Sequence, residues 1–210
     1  MALGEAIVYS TVAKASWTLQ GDGTRQQTLY TNSYGALQAV ATLPEYSELA
    51  RRGMVYSACN SAAITFGTAL TATGVTFHLC NPIGSLFDLH VIAGGISVIT
   101  STVGGTVVWA QNAISGTAVT AGTPLTPMNR SGASGVGLAK SATTLPAAPT
   151  AMRVMAGIGV IAAAAGIQAL GSDYVGGAIV VPPGGQVSLQ GITVAGTGIF
   201  SMVWAEIPNA

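Results

Sequence analysis

The sequence predicts an all-β protein: an antiparallel β-sandwich body over residues 54–210, preceded by an extended N-terminal arm over 1–53 that carries one short helix near 43–52. Three observations predict it. From Met54 onward, apolar and β-branched runs recur with Gly, Pro, Asn and Thr between them. Runs of about six residues with turn signals about every 8–12 are the mark of a sandwich or barrel. Two runs, Phe77-His78-Leu79-Cys80 and Phe87-Asp88-Leu89-His90-Val91, alternate apolar and polar residues as half-buried strands do. A helix signature stands out in one short stretch only.

The elements follow in order. Residues 1–42 are rich in Gln, Thr, Tyr and Gly, have no sustained period, and include the tight-turn signal Gly21-Asp22-Gly23. They read as an extended arm that docks on something else. The helix comes next, in LPEYSELARRG (43–53). Thr42 and Glu45 have capping-box spacing, and Pro44 suits a first turn. Glu48 reaches Arg51 and Arg52 at i+3 and i+4, Gly53 is a C-terminal stop, and Tyr46, Leu49 and Ala50 share an apolar side.

The expected strands lie in MVYSAC (54–59), AAITFG (62–67), VTFHLC (75–80), LFDLHVI (86–92), ISVITSTV (96–103) and TVVWAQ (106–111). TATG, NPIG, AGG and GG punctuate them. Residues 113–150, rich in Gly, Ser, Thr, Ala and Pro, read as a long exposed loop excursion without core-forming content. Strands return in AMRVMAGIGVIAA (151–163) and YVGGAIVV (174–181). Pro182-Pro183-Gly184-Gly185 is a turn, and QVSLQ follows it. The last run, GIFSMVWAEIP, is apolar on both faces, which marks a central strand or one beneath an interface.

Composition narrows the function. The chain has seven Lys and Arg, seven Asp and Glu, and no formal net charge in 210 residues. Soluble domains carry about 25% charged residues; here the figure is 7%, with 50% apolar residues. A nucleic-acid binder needs a basic footprint, which is missing. A surface so short of ions suits burial against other protein. MALGEAIVYS lacks the basic and apolar regions of a signal peptide. Residues 154–170 are free of charge, but they are too short and too rich in Ala and Gly for a membrane span. Cys59 and Cys80 have no metal-ligand spacing and read as buried free thiols in strands.

Chemical motifs are weak. Gly157-Ile158-Gly159-Val160-Ile161-Ala162 fits G-x-G-x-x-A but lacks βαβ context, and Asp173 is badly placed for a ribose contact. His78 and His90 are the only histidines. Facing each other across a hairpin near Asp88 they would offer metal ligands, yet their spacing fits ordinary strand residues better. Asp88, Asp173 and Glu206 are available acids without a catalytic pattern, and no nucleophile elbow or phosphate loop occurs. Trp109 and Trp204 sit mid-strand and read as core. Asn129-Arg130-Ser131 is a formal glycosylation sequon. The sequence therefore predicts no catalytic residue, no cofactor and no bound metal.

The junction LPEYSELARRGMVYS, the charge-poor Gly/Ala/Thr/Val body, VPPGGQVSL and the closing MVWAEIP resemble tailed-bacteriophage virion structural proteins. The nearest type is the jelly-roll decoration, or cement, protein. The resemblance covers most of 43–210 and implies a jelly-roll-like sandwich. It implies a homo-oligomer, a trimer by analogy, bound to the major capsid protein on the outer capsid and made in the bacterial host cytoplasm, with no membrane and no nucleic-acid partner. On this reading residues 1–53 carry the contacts, with Glu45, Tyr46, Glu48, Leu49, Arg51 and Arg52 at the joint. The alternative is a tail-fibre or receptor-binding module that recognises host-surface glycans through 113–135. An enzyme would rest on the isolated acids and the two histidines.

Overall fold

In a computed structural model, the described residues are 30–31, 37–38, 46–112, 114, 119, 122–129, 131–160 and 169–209, with backbone alone at 30–31, 37–38 and 169–170. The chain divides into two compact units, 1–45 and 46–210. In the first, β1 (Tyr30–Thr31) pairs antiparallel with β2 (Leu37–Gln38). The Gly21-Asp22-Gly23 signal, Thr42, Pro44 and Glu45 lie outside the described residues.

The second unit opens with helix α1 (Ser47–Arg51), so the helix groups with the body and not with the arm. Its N-cap is Tyr46, which makes no side-chain capping bond, so the helix starts later than Thr42 would set it. Its end matches the sequence. Gly53 has φ +75°, its N–H donates to Ala50 O at 3.1 Å, and Met54 N–H donates to Leu49 O at 2.9 Å. This is a Schellman stop, which glycine accommodates because it has no Cβ.

The strands of the body are β3 (Val55–Cys59), β4 (Ile64–Phe66), β5 (Val75–Cys80), β6 (Phe87–Val103), β7 (Gly105–Asn112), β8 (Thr123–Leu125), β9 (Leu138–Thr143), β10 (Thr150–Ile158), β11 (Ala169–Val181), β12 (Gln186–Ile192) and β13 (Ala195–Pro208). One sheet has the order β11-β6-β13-β3, with β4 continuing the β3 edge against β13; the other has the order β10-β7-β12-β5-β9-β8. All pairings are antiparallel. Leaving out β8 and β9, and counting β3 and β4 as one strand because both pair with β13, the chain alternates between sheets at every step except β7 to β10. Four strands, with β3 and β4 sharing one position, therefore face four: the β-sandwich that the sequence predicts, in the jelly-roll-like arrangement that the resemblance implies.

The core lies between the sheets. Trp109, Leu79, Phe77 and Leu189 of one sheet meet Phe200, Met202, Trp204 and Leu89 of the other, all fully buried. Phe66 and Phe200 meet edge to face at 5.7 Å, an arrangement aromatic quadrupoles favour. β13 is central, between β6 and the β3/β4 edge, as its doubly apolar pattern requires.

Two expectations are corrected. Gly94-Gly95 is not a turn: β6 runs for 17 residues straight through it. A Cβ on Gly94 would lie 2.6 Å from the Trp109 ring, and one on Gly95 would lie 2.7 Å from Ser201 Oγ. These glycines serve close approach in a strand, not chain reversal. Nor are the described parts of 113–150 simply an exposed loop. The chain leaves β7, next to one edge of its sheet, forms β8 and β9 at the far edge, and returns to form the near edge as β10. Those crossings are tied down. Asn112 Nδ2 donates to Ala147 O at 2.7 Å, Lys140 Nζ donates to Val119 O at 2.6 Å, and Val119, Ala139 and Leu145 are buried.

Candidate functional site

The joint expected to meet a partner is α1. Glu48 Oε2 lies 3.4 Å from Arg51 Nη1, and Glu48 Oε1 lies 3.2 Å from Arg52 Nε. All three side chains are about half exposed, so each pair contributes only tenths of a kcal/mol, on the order of 0.3–0.5. Tyr46 and Leu49 are half-buried, and Tyr46 Oη lies against the backbone of Gly177 on β11. The structure thus groups Tyr46, Glu48, Leu49, Arg51 and Arg52 on one short helix, while Glu45 lies outside the described residues.

Two further acids, Glu206 and Asp173, hold parts of the fold together. Glu206, on β13, is 4% exposed and accepts the backbone N–H groups of Val136 and Gly137 at 2.9 and 2.8 Å. It also accepts the Trp204 indole N–H at 3.3 Å. Tyr56 stacks on Trp204 at 6.2 Å, and its hydroxyl pKa is raised, first by burial and then by Glu206, with Asn129 opposing. Asp173, on β11, accepts from Trp109 Nε1 at 2.8 Å and pairs with Arg153 Nη2 at 2.9 Å, tying β11 to β7 and β10 across the sheets.

The histidines do not meet. His78 is on β5 and His90 on β6, in different sheets. His78 pairs across with Ser188 and Lys140; His90 pairs with Ala205 and Val180. No group of three or more His, Cys, Asp or Glu able to hold a metal occurs among the described residues. His78 is fully buried on the outer side of its sheet, beneath the chain's own segments, and so are Gln186 and Asn112. Among the described residues, no partner meets hydrogen-bond geometry at either His78 ring nitrogen, at Gln186 Oε1 or at Asn112 Oδ1, although Gln186 lies close enough to His78 to act on it. Burial lowers the His78 pKa to about 4; Gln186 opposes this and Lys140 adds to it.

Both cysteines are free, but they differ. Cys80 is buried and its thiol pKa is raised by burial, whereas Cys59 is exposed, contrary to the sequence reading. Cys59 lies on the outward side of β3, opposite Ser201. Trp109 and Trp204 are core residues, as expected. Gly157 and Gly159 close an antiparallel edge strand, outside any βαβ unit, while Ile161 and Ala162 lie outside the described residues. No helix among the described residues is long and apolar enough to cross a membrane.

In the sequence Asn129 reads only as part of a glycosylation sequon. Its Nδ2 donates to Gly53 O at 2.8 Å, and its Oδ1 accepts from Ser131 N, Ser131 Oγ and Ala133 N. It therefore fastens the 129–133 turn to the end of α1. Asn followed by Ser two positions later is the one local sign, an Asx-turn signature.

A second surface is the outward side of the β11-β6-β13-β3 sheet. Gly94, Ile96 and Val98 of β6 face the core, as do Phe200 and Met202 of β13. Ala93, Gly95 and Ser97 therefore point outward, cross-strand from Val203, Ser201 and Ile199. Ser172 and Tyr174 extend the rows onto β11, and Ser57 and Cys59 extend them onto β3. None of these residues carries a charge, and Gly95 leaves a shallow depression of ≈ 390 Å³ between Ser97, Ser172, Ile199 and Ser201.

This fold defines a charge-poor jelly-roll-like sandwich whose described acids are structural wherever their bonds are seen. No protein-family model matches the chain, and it matches no curated protein and no solved structure.

Proposed function

We propose that the protein is a non-enzymatic structural component of a tailed-phage virion that decorates and stabilises the outer capsid as an oligomer bound to the major capsid protein. The observation that carries this reading is how the described charges are used. Glu48 pairs with Arg51 and Arg52, Arg153 with Asp173, Lys140 holds a carbonyl, and Glu206 holds backbone amides. Apart from Asp88, the charged side chains among the described residues bond within the chain itself, and a broad sheet face carries none. Such a face is buried against protein at low desolvation cost. The jelly-roll-like body supports the same reading, because it is the architecture that the resemblance to capsid decoration proteins implies.

In this reading residues 1–53 supply the capsid contacts and α1 sets their register through Tyr46, Glu48, Leu49, Arg51 and Arg52, with Glu45 before it. Many symmetric copies make weak contacts add as avidity. Deleting 1–53 abolishes binding to particles while the body still folds; a truncated body that still decorates capsids overturns the assignment. Copy number separates this reading from a glycan-binding fibre module. A decoration protein occurs in on the order of hundreds of copies per particle, a fibre in tens. Quantifying the chain on a stained virion gel distinguishes them.

A further inference from the structure

We infer that the outward face of the β11-β6-β13-β3 sheet is where a second copy of this chain docks. The inference rests on the oligomeric part of the reading above and names the surface that serves it. Four observations carry it.

The two sheets are treated differently by the chain itself. The outer side of the β10-β7-β12-β5-β9-β8 sheet is covered by the chain's own segments, with Thr71 bonded to Gln190 and Val119 to Lys140, and Thr76, His78, Gln186, Ser188 and Gln190 are all buried. On the outer side of the other sheet the edge-strand residues Cys59 and Ser172 are exposed and Tyr174 is 62% exposed, while Gly95, Ser97, Ile199 and Ser201 on the central strands keep part of their surface open.

This face has no Asp, Glu, Lys, Arg or His at its outward positions from Tyr174 and Ala93 to Ile199 and Ser201. A solvated sandwich face normally alternates with polar and charged residues. Here Ser97, Ser172 and Ser201 offer hydroxyls, each both donor and acceptor. Hydroxyls and small apolar groups complement another set of the same kind. They give no counter-charge to a strongly basic or acidic partner. A second copy, itself 7% charged, is the matching occupant.

The size is sufficient. Four strands about 4.8 Å apart and four outward rows about 6.7 Å apart, the fourth being the Thr100–Thr197 pair beyond Ser97 and Ile199, give roughly 500 Å² per copy. Two copies then bury about 1,000 Å², where specific interfaces begin.

The relief also suits protein. Gly95 and the serines leave the depression, and the exposed aromatic Tyr174 stands two residues along β11 from its rim at Ser172. Small side chains let a neighbouring sheet approach to the packing distance of about 10 Å.

The test uses the full chain. Sedimentation gives the solution mass of wild type, Ser201→Arg, Ile199→Glu and a control, Met152→Glu, on exposed β10 of the other sheet. Circular dichroism checks folding, and a thiol reagent measures Cys59 reactivity in wild type across a concentration series. Wild type and Met152→Glu are expected at a multiple of 20.9 kDa, with the two face variants at 20.9 kDa itself. Cys59 labelling slows about tenfold or more on association, as burial of a reactive thiol requires. Face variants that fold and associate like wild type overturn the face assignment and leave the oligomeric reading standing. Wild type at 20.9 kDa at every concentration overturns both. Should the face variants fail to fold, Cys59 decides: protection that grows with concentration supports the face, and unchanged labelling of an associated wild type overturns it.

Discussion

Asp173 accepts the indole hydrogen of Trp109 at 2.8 Å, joining a core side chain of one sheet to an edge strand of the other. Trp109 is fully buried, so its N–H has no water to turn to. Asp173→Ala leaves that donor unpaired and costs about 1–3 kcal/mol. Asp173→Asn keeps an acceptor and loses the pair with Arg153, whose side chain is 46% exposed; it costs below about 1 kcal/mol. Urea midpoints followed by tryptophan fluorescence should rank the variants in that order. Equal losses would show the ion pair to matter more than the indole bond.

Glu206 fastens the 131–137 turn by accepting two backbone amides with one carboxylate. Glu206→Gln retains one good acceptor and turns an NH₂ group towards a donor, at a cost of about 2 kcal/mol. Hydrogen exchange should show Val136 and Gly137 losing protection before β13 does. Gly137→Ala acts on the same contact, because its Cβ would sit 2.8 Å from Trp204 Nε1.

His78 makes stability depend on pH. Its pKa is about 4 when folded against an ordinary 6.5. Between those values the unfolded chain binds a proton that the folded chain refuses, so stability rises with pH through this window. The contribution is complete above 6.5, is lost as pH falls towards 4, and is constant below that. A shift of this size amounts to about 3 kcal/mol. Urea midpoints at about pH 7.5 and about pH 4.5 should converge in His78→Leu once the acids' shared effect is subtracted using a second buried-site variant such as Val187→Ala. A wild-type difference that survives His78→Leu unchanged would assign the acid sensitivity elsewhere.

Two glycines should respond oppositely to the same change. A Cβ on Gly94 overlaps the Trp109 ring, so Gly94→Ala costs about 1–3 kcal/mol through overpacking. Gly157 has open space around it, and Gly157→Ala is neutral or slightly stabilising, by up to about 1 kcal/mol, through the unfolded chain. Thermal unfolding of the pair tests the strand assignment of Gly94-Gly95 directly.

The sequence by itself determined what depends on near neighbours. The period of VTFHLC placed β5 at Val75–Cys80, Pro182-Pro183-Gly184-Gly185 placed the turn before β12, and the spacing of Glu48, Arg51 and Arg52 gave their ion pairs. Strand period, turn chemistry and i+4 reach operate within a few residues, and so they are written locally. Tertiary structure decided whatever depends on which strands become neighbours. Gly94-Gly95 reads as a turn until Trp109 comes to lie against it; the 113–150 segment reads as a loop until β9 finds β5; Cys59 reads as buried until β3 becomes a sheet edge. His78 and His90 are 12 residues apart, yet consecutive jelly-roll strands enter opposite sheets, and that alternation separates them. A strand's side chains alternate in either sheet; which face meets core, roof or solvent is fixed only when the sheets close on each other.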